Sequence, residues 1–556
     1  MSAPETSPND QTPGRRLSAS NRKSKVKIVS LVLAILIAVA GILVVAIPGP
    51  TQPTQDVATQ PAPTVSESLA PAPAVTYYQQ SGPPAGSPLE KVDPLTVKVS
   101  NREAGTALRQ GMAGISLEAT DLGDPALSST NASLVKLLAE VDEPILRFGG
   151  NAVDRRFFWT SSGEAIPASY KGDKAHPARA VGPEDLTRVK TLLDATNAKV
   201  SLTVDLGHFG PERAADMVKN ASSIFAERLL SITVGNEPNG YGYNGVRPGG
   251  YTPENYVAEL KEYAKAIFAV APEVVISGPG TYSEKWWGPF IDADIPQKKI
   301  LSFHNYPLYS CDGKDPHGSP TLKNLMSPLM HQRAADYQQA ALRAGQEAGL
   351  ETWLPETGIA ACPGANETSR THASALWTAD YLLNAGKLGI TRMGFHSSLL
   401  TCQGGPPMSL ICSGGAYLQP DGRYEARANF YGLAMVAELE GGKFLELESA
   451  GGGLSYSYAL SNPDGSTTVI VVNQNDPEKA AQTDVTLTLP GRALTGTMTQ
   501  LSGPSYDAEG VTVIDGAKAG PKPVNERPTV PGFEYGSSTQ SFSLTAGTVT
   551  VLNFTY

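Results

Sequence analysis

Between about residue 114 and residue 439 the chain alternates between two hydrophobic rhythms. Short apolar runs lie at 114–118, 144–148, 199–205, 231–237, 274–277, 300–305, 352–356 and 390–396 and predict buried strands. Between and after them, over 183–196, 211–225, 253–270, 327–348, 370–388 and 427–438, apolar residues recur at the spacing of amphipathic helices. Gly182-Pro183, Gly210-Pro211, Thr252-Pro253 and Ser327-Pro328 put proline in the first helical turn, where its missing N–H costs no helical hydrogen bond. Eight strands each followed by a helix is the count of a (β/α)8 barrel, an α/β fold. A doubly wound open sheet would require a glycine-rich phosphate turn after its first strand. Gly114-Ile115-Ser116-Leu117-Glu118 supplies none.

On both sides of this region the pattern changes. Short alternating runs at 454–460, 467–473, 484–489, 497–501 and 548–556, separated by Gly, Pro, Asn and Asp turns, predict a C-terminal β-sandwich. Residues 95–99 alternate in the same way ahead of the barrel, so they are expected to join that sheet. Residues 28–47 are free of charge, about the 20 needed to cross a bilayer. Arg15, Arg16, Arg22, Lys23, Lys25 and Lys27 precede them, and a Pro/Thr/Ala/Ser tract poor in large apolar residues follows. Basic charge on one flank predicts a cytoplasmic amino terminus and an extracellular remainder. A cleaved signal peptide is the alternative, although its apolar core would span roughly 7–15 residues; either way the bulk of the chain is exported. The expected organisation is a cytoplasmic 1–27, a transmembrane anchor 28–47, a linker 48–92, strands 93–110 joining the sandwich, a barrel 111–440 and a sandwich 441–556.

At 556 residues the chain has room for both folded domains. Its net charge is -10, and residues 1–48 carry six basic against two acidic side chains. The exported part is therefore more acidic still, a poor partner for nucleic acid or any dense polyanion. Cys311, Cys362, Cys402 and Cys412 suit an oxidising compartment and allow three pairings. The expected pairs are Cys402–Cys412, closing a short loop, and Cys311–Cys362, joining two neighbouring loops. Without a C-x-x-C spacing a structural zinc site is not expected.

Candidate chemistry sits at two strand ends. Glu237 closes the fourth apolar run in Gly235-Asn236-Glu237-Pro238-Asn239, and Glu356 the seventh in Leu354-Pro355-Glu356-Thr357. In a parallel barrel all strand C-termini open on one face, so both carboxylates should share one cleft. One acid and one nucleophile are what glycosidic cleavage needs, and no metal or organic cofactor is required. Asn236 could bond a sugar hydroxyl beside the scissile bond. His304 and Tyr306, two apart, share a side of strand six; Tyr306 either donates to Glu356, keeping it ionised, or packs at the rim. His396 on strand eight serves the pocket or the core. After strand two, Gly149-Gly150-Asn151 brings backbone close to a ligand or a neighbouring strand. Asn151 is a candidate sugar contact, and Asp154 either accepts from sugar hydroxyls or caps a turn. Trp159, Trp286, Trp287 and Tyr241 to Tyr243 lie near strand C-termini, where aromatic faces either stack on sugars or pack.

The Asn-Glu-Pro of strand four, the glutamate of strand seven and the His-x-Tyr of strand six resemble clan A retaining glycoside hydrolases. Within that clan, Leu146-Arg147-Phe148-Gly149-Gly150, Gly235-Asn236-Glu237-Pro238-Asn239 and Pro355-Glu356-Thr357 resemble family 79, the β-glucuronidases and heparanases. The resemblance spans roughly residues 93–556. It implies that Glu237 is the acid/base and Glu356 the nucleophile, with Asn236, Tyr306 and Asp154 as subsite contacts, and a sheet built from both chain ends. The cysteine-bearing loops after strands six to eight depart from the family pattern. The expected activity is an extracellular retaining β-glycosidase acting on a glycoside or oligosaccharide, in the first place as an exo-β-glucuronidase, since an acidic exterior suits small or sparsely charged substrates. A heparanase-like endo enzyme would need a lysine- and arginine-lined cleft, and no basic cluster stands out in the barrel loops. A non-catalytic carbohydrate-binding or envelope protein is the alternative of another class. No oligomeric state follows from the sequence.

Overall fold

The computed structural model describes residues 75–82, 86, 88–362 and 366–556, which belong to one compact unit, Leu69–Tyr556. The cytoplasmic segment 1–27, the membrane span 28–47 and the linker as far as residue 74 lie outside the described residues. Among the described residues no helix is long and apolar enough to cross a membrane.

Eight parallel strands close into a barrel: Ala113–Glu118, Ile145–Gly149, Lys199–Val204, Leu229–Val234, Ile276–Thr281, Lys298–Asn305, Glu351–Thr357 and Arg392–His396, here strands one to eight. Strand eight pairs with strands seven and one and so seals the ring. Helices Pro183–Thr196, Pro211–Phe225, Pro253–Val270, Pro328–Glu347, His372–Leu388 and Ala428–Ala437 surround it. The proline starts are helped by capping hydroxyls: Thr252 accepts from the Asn255 amide at 3.4 Å and Ser327 from the Met330 amide at 3.2 Å. Strands one and five are followed by shorter helices, Ala132–Ala139 and Trp287–Asp292.

The strands are apolar on the outside and graded on the inside. On strand two Leu146 and Phe148 belong to the core shared with the helices, so Ile145, Arg147 and Gly149 face inward. Ile145, Ile300 and Trp353 form a separate apolar floor. Above it lie small buried residues, among them Ser116, Ser201, Ser231 and Ser302. The volume they leave free allows the long Arg147 side chain to rise through the interior towards the strand C-termini.

The second domain is one nine-stranded sheet curled on itself, which fits the expected β-sandwich. Leu95–Ala107 lies inside it, antiparallel to Lys443–Ala450 and parallel to Thr483–Thr488. One face encloses its own core, with Val97, Val469, Leu487, Met498 and Leu552. The other, through Ile470, Val472, Val549 and Val551, is continuous with the core of the barrel helices. Strands Lys443–Ala450 and Thr539–Leu544 were not evident in the periodicity; the first leaves most of its residues at least partly exposed, so burial does not impose an alternation on it.

Of the linker expected over 48–92, described residues from 75 on touch the folded body. Tyr77 bridges Thr529 and Glu90 bridges Ala480. The Gln80 amide donates to the Ser543 carbonyl at 2.6 Å. A tract poor in large apolar residues is held by its backbone and amide groups and by Tyr78, which packs against the core of the sheet.

Candidate active site

Glu237 stands three residues past the end of strand four, whereas the sequence pattern carries the strand up to it. The chain leaves the strand at Gly235 (φ +76°), where a Cβ would lie 2.5 Å from the Tyr241 hydroxyl. Glu237 itself is left-handed (φ 49°, ψ 53°), uncommon for a residue with a side chain, and its amide donates to the Gly280 carbonyl at 3.0 Å. Glu356 lies within strand seven and is buried. One oxygen of each carboxylate and a His304 ring nitrogen all lie within 4.8 Å of one another.

Arg147 organises the pair. Its Nη1 donates to Glu356 Oε2 at 2.6 Å and to Ser116 Oγ at 3.1 Å, and its Nη2 donates to Asn236 Oδ1 at 2.6 Å. Tyr306 donates its hydroxyl to Glu356 Oε1 at 3.0 Å, so both oxygens of Glu356 are held. His304, fully buried, has Nδ1 2.9 Å from Glu237 Oε1 and 3.7 Å from Glu356 Oε2. Burial alone would raise the pKa of Glu356, but the charges of His304, His396 and Arg147 with the Arg147 hydrogen bond outweigh it. The carboxyl is held well below the usual range. Burial first, then the charge of Glu356, pushes the Tyr306 hydroxyl far up, so it remains a donor.

The Gly149-Gly150 pair has a steric reason on each side. A Cβ on Gly149 would lie 2.2 Å from Arg147 Cζ, and one on Gly150 (φ +66°) would lie 2.5 Å from Glu118 Oε2. Glu118, at the end of strand one, accepts from the Ala152 amide at 2.7 Å and lies 3.8 Å from His396 Nε2. Asn151, His304, Tyr306 and His396 line a cavity of about 700 Å³ together with both glutamates. Asn236 is buried behind them; its Nδ2 finds no protein partner among the described residues, leaving a donor free for a ligand.

Asp154, expected either as a sugar contact or as a turn cap, is buried and bonded to backbone: one oxygen accepts from the Leu206 and Gly207 amides at 2.9 Å each and the other from the Asn236 amide at 2.8 Å. It ties the ends of strands two, three and four together. Burial, then Asp205, raises its pKa to about 6. Of the two possibilities open for the aromatic residues near strand C-termini, most take packing. Trp286 and Trp287 pack in the core, Trp159 lines another cavity and donates to Asp216 at 2.7 Å, and Tyr241 is buried while Tyr243 is exposed. The aromatic wall is Tyr282, Tyr306, Tyr309 and Tyr337. Arg147, Glu118 and, apart from Tyr306, this wall were not singled out from the sequence. For Arg147 the signal was present, a charged side chain within an otherwise apolar strand.

Both expected disulfides are present. Cys311–Cys362 spans the loops after strands six and seven, with Ala361 on the cavity wall, and Cys402–Cys412 closes a loop after strand eight. Glu237, His304 and Glu356 also have the spacing of a metal-ligand set. The Arg147 guanidinium at 2.6 Å from Glu356 already provides the positive charge that a cation would bring.

The sequence matches no family model and no curated protein. Solved structures do match. A 4-O-α-L-rhamnosyl-β-D-glucuronidase of Fusarium oxysporum 12S, in complex with Rha-GlcA, is 18% identical with a TM-score of 0.60, covering 83% of this chain and 100% of that one. A family 51 arabinofuranosidase of Xanthomonas axonopodis pv. citri is 14% identical, TM-score 0.58, over 84% and 100%. A family 51 α-L-arabinofuranosidase of Thermotoga petrophila RKU-1 is 14% identical, TM-score 0.60, over 83% and 99%. These neighbours are glycosidases by name, and the likeness establishes a shared fold.

Proposed function

We propose that this protein is a retaining β-glycosidase with β-glucuronides as its substrates. The observation that carries the reading is the pair of carboxylates within 4.8 Å at the barrel mouth, one of them kept ionised by Arg147 and Tyr306. Retaining enzymes hold their two carboxyl groups about 5–5.5 Å apart, and inverting ones about 6.5–9.5 Å to admit a water. In the first step Glu356 attacks the anomeric carbon while Glu237 gives its proton to the departing oxygen; the glycosidic bond breaks and a glycosyl ester forms. Glu237, now a carboxylate beside His304, takes a proton from water, which attacks the same carbon and releases Glu356. Configuration is retained through two inversions.

The glucuronide preference rests on the sequence resemblance and on the glucuronidase among the structural neighbours. The arabinofuranosidases at similar TM-scores support α-L-arabinofuranosides as the second reading. Hydrolysis of 4-nitrophenyl β-D-glucuronide, α-L-arabinofuranoside, β-D-xyloside and β-D-glucoside by the full-length protein separates them. Glu356→Ala should abolish turnover of whichever is cleaved. Glu237→Ala should slow substrates with poor leaving groups far more than activated aryl glycosides, which depart without protonation. Undiminished turnover by Glu356→Ala would remove the nucleophile from the scheme.

The folded part is proposed to work outside the cell, anchored through residues 28–47. Two disulfides suit that compartment, and the basic flank of the apolar stretch suits that orientation. Protease added to intact cells should release the catalytic domain; protection until lysis would contradict the orientation.

A further inference from the structure

A second cavity of about 460 Å³ adjoins the first, and Asn151 and His396 line both. It is built by the segments that follow strands one, two and eight. In the ring order of the barrel, strand eight lies across from strand four, which carries Glu237. The acid must reach the departing oxygen, so the leaving group lies on the strand-four side, where Tyr282 lines the first cavity. The second cavity therefore extends from the opposite end of the sugar bound at the glutamate pair, the non-reducing end of the glycone.

Its chemistry is that of a polar ligand. Arg156 and Arg179 face Glu118 and Asp124 at 3.8 and 3.7 Å, distances too long for direct hydrogen bonds. Arg156 Nε and His396 Nδ1 are buried without a partner among the described residues. Donors and acceptors set side by side, with spare capacity, match the vicinal hydroxyls of a sugar ring. The wall is also a constructed one. Residues Phe157–Trp159 pair with Arg179–Val181, the Lys171 amide donates to the Arg155 carbonyl at 3.0 Å, and Asp173 accepts from the Ala175 and His176 amides at 2.8 and 2.7 Å. This fixes the loop that brings Lys174 to the cavity. Basic residues spread from 156 to 179 along the chain thus gather at one end of the cleft, although no cluster stands out in the sequence.

We infer that this cavity is a subsite for a second sugar of the glycone, whose hydroxyls accept hydrogen bonds from Arg156 and Lys174 and donate one to Glu118. The inference rests on the glycosidase reading above, and it makes a glycone of two or more units a better substrate than a single terminal sugar. The test compares 4-nitrophenyl β-D-glucuronide with the same glucuronide carrying a further hexose on O4, across the ring from the anomeric carbon, using the full-length protein. The expected result is a kcat/KM at least about tenfold higher for the extended glycoside, a ratio that Arg156→Gln and Lys174→Ala each bring towards one. Turnover of both at equal kcat/KM, or a ratio indifferent to both substitutions, overturns the second subsite and leaves the glycosidase standing. Turnover of neither overturns the glucuronidase reading and the subsite with it.

Discussion

At the level of single side chains, Arg147 bonds both to Glu356 and to Asn236, the residue preceding Glu237. It thereby helps to keep Glu356 ionised and holds the side chain that neighbours Glu237. Arg147→Met would leave Glu356 buried with less positive charge nearby, so its pKa rises. In the proposed mechanism Glu356 attacks as the carboxylate, so the acid limb of the kcat/KM profile should move to higher pH by about one unit or more, with kcat down by about a hundredfold. A pH–rate series on the variant checks this; an unmoved acid limb means that the guanidinium does not govern the nucleophile. Asp154 carries a different lesson. Burial and three backbone amides make it a tie between strand ends, and nothing in its sequence neighbourhood distinguishes that duty from ligand binding.

At the level of elements, the turn after strand two matters through what it omits. Gly149 passes so close to the Arg147 guanidinium that a methyl group there would collide at 2.2 Å, and the guanidinium is tied by three hydrogen bonds. Gly149→Ala should displace Arg147 and lower kcat by about tenfold or more, in the range of a lost charge-assisted hydrogen bond. Gly288, in the short helix after strand five, has nothing within 4 Å of its would-be Cβ, so Gly288→Ala should leave activity and Tm unchanged. Steady-state kinetics and thermal melts of the two variants check the contrast, and equal losses would mean that steric clearance of the guanidinium is not the reason for glycine at 149.

For the molecule as a whole, barrel and sheet are joined through a buried titratable contact. His372, at the start of helix His372–Leu388, donates from Nε2 to the Gly547 carbonyl at 2.7 Å, and its Nδ1 is 3.1 Å from Thr512 Oγ1. Burial pushes its pKa down from 6.5 to about 4. The unfolded chain therefore binds a proton at a higher pH than the folded one does. Stability from this group is fully present above pH 6.5, falls as the pH drops towards 4, and below that is lower by about 3 kcal/mol, at roughly 1.4 kcal/mol for each pKa unit. Thermal melts between pH 7 and 4 should show this loss, and His372→Gln should lessen the pH dependence. An unchanged slope in the variant would remove His372 from the acid response.

Much of this was legible in the chain itself. Eight apolar runs with helical periods between them can close as a barrel, because buried parallel strands and amphipathic helices leave their periods in the sequence. Glu237 and Glu356 were legible because a carboxylate at the end of an apolar run has no packing reason to be there. The tertiary structure alone decided which polar groups face which. It set Arg147 against Glu356 and Asn236, turned Asp154 away from the cleft, and put Tyr282 and Tyr337 on the wall. It also gathered Arg156, Lys174 and Arg179 at one end of the mouth. Those relations join residues from different strands and loops, and periodicity, which reports only how each segment faces the core, carries no record of them.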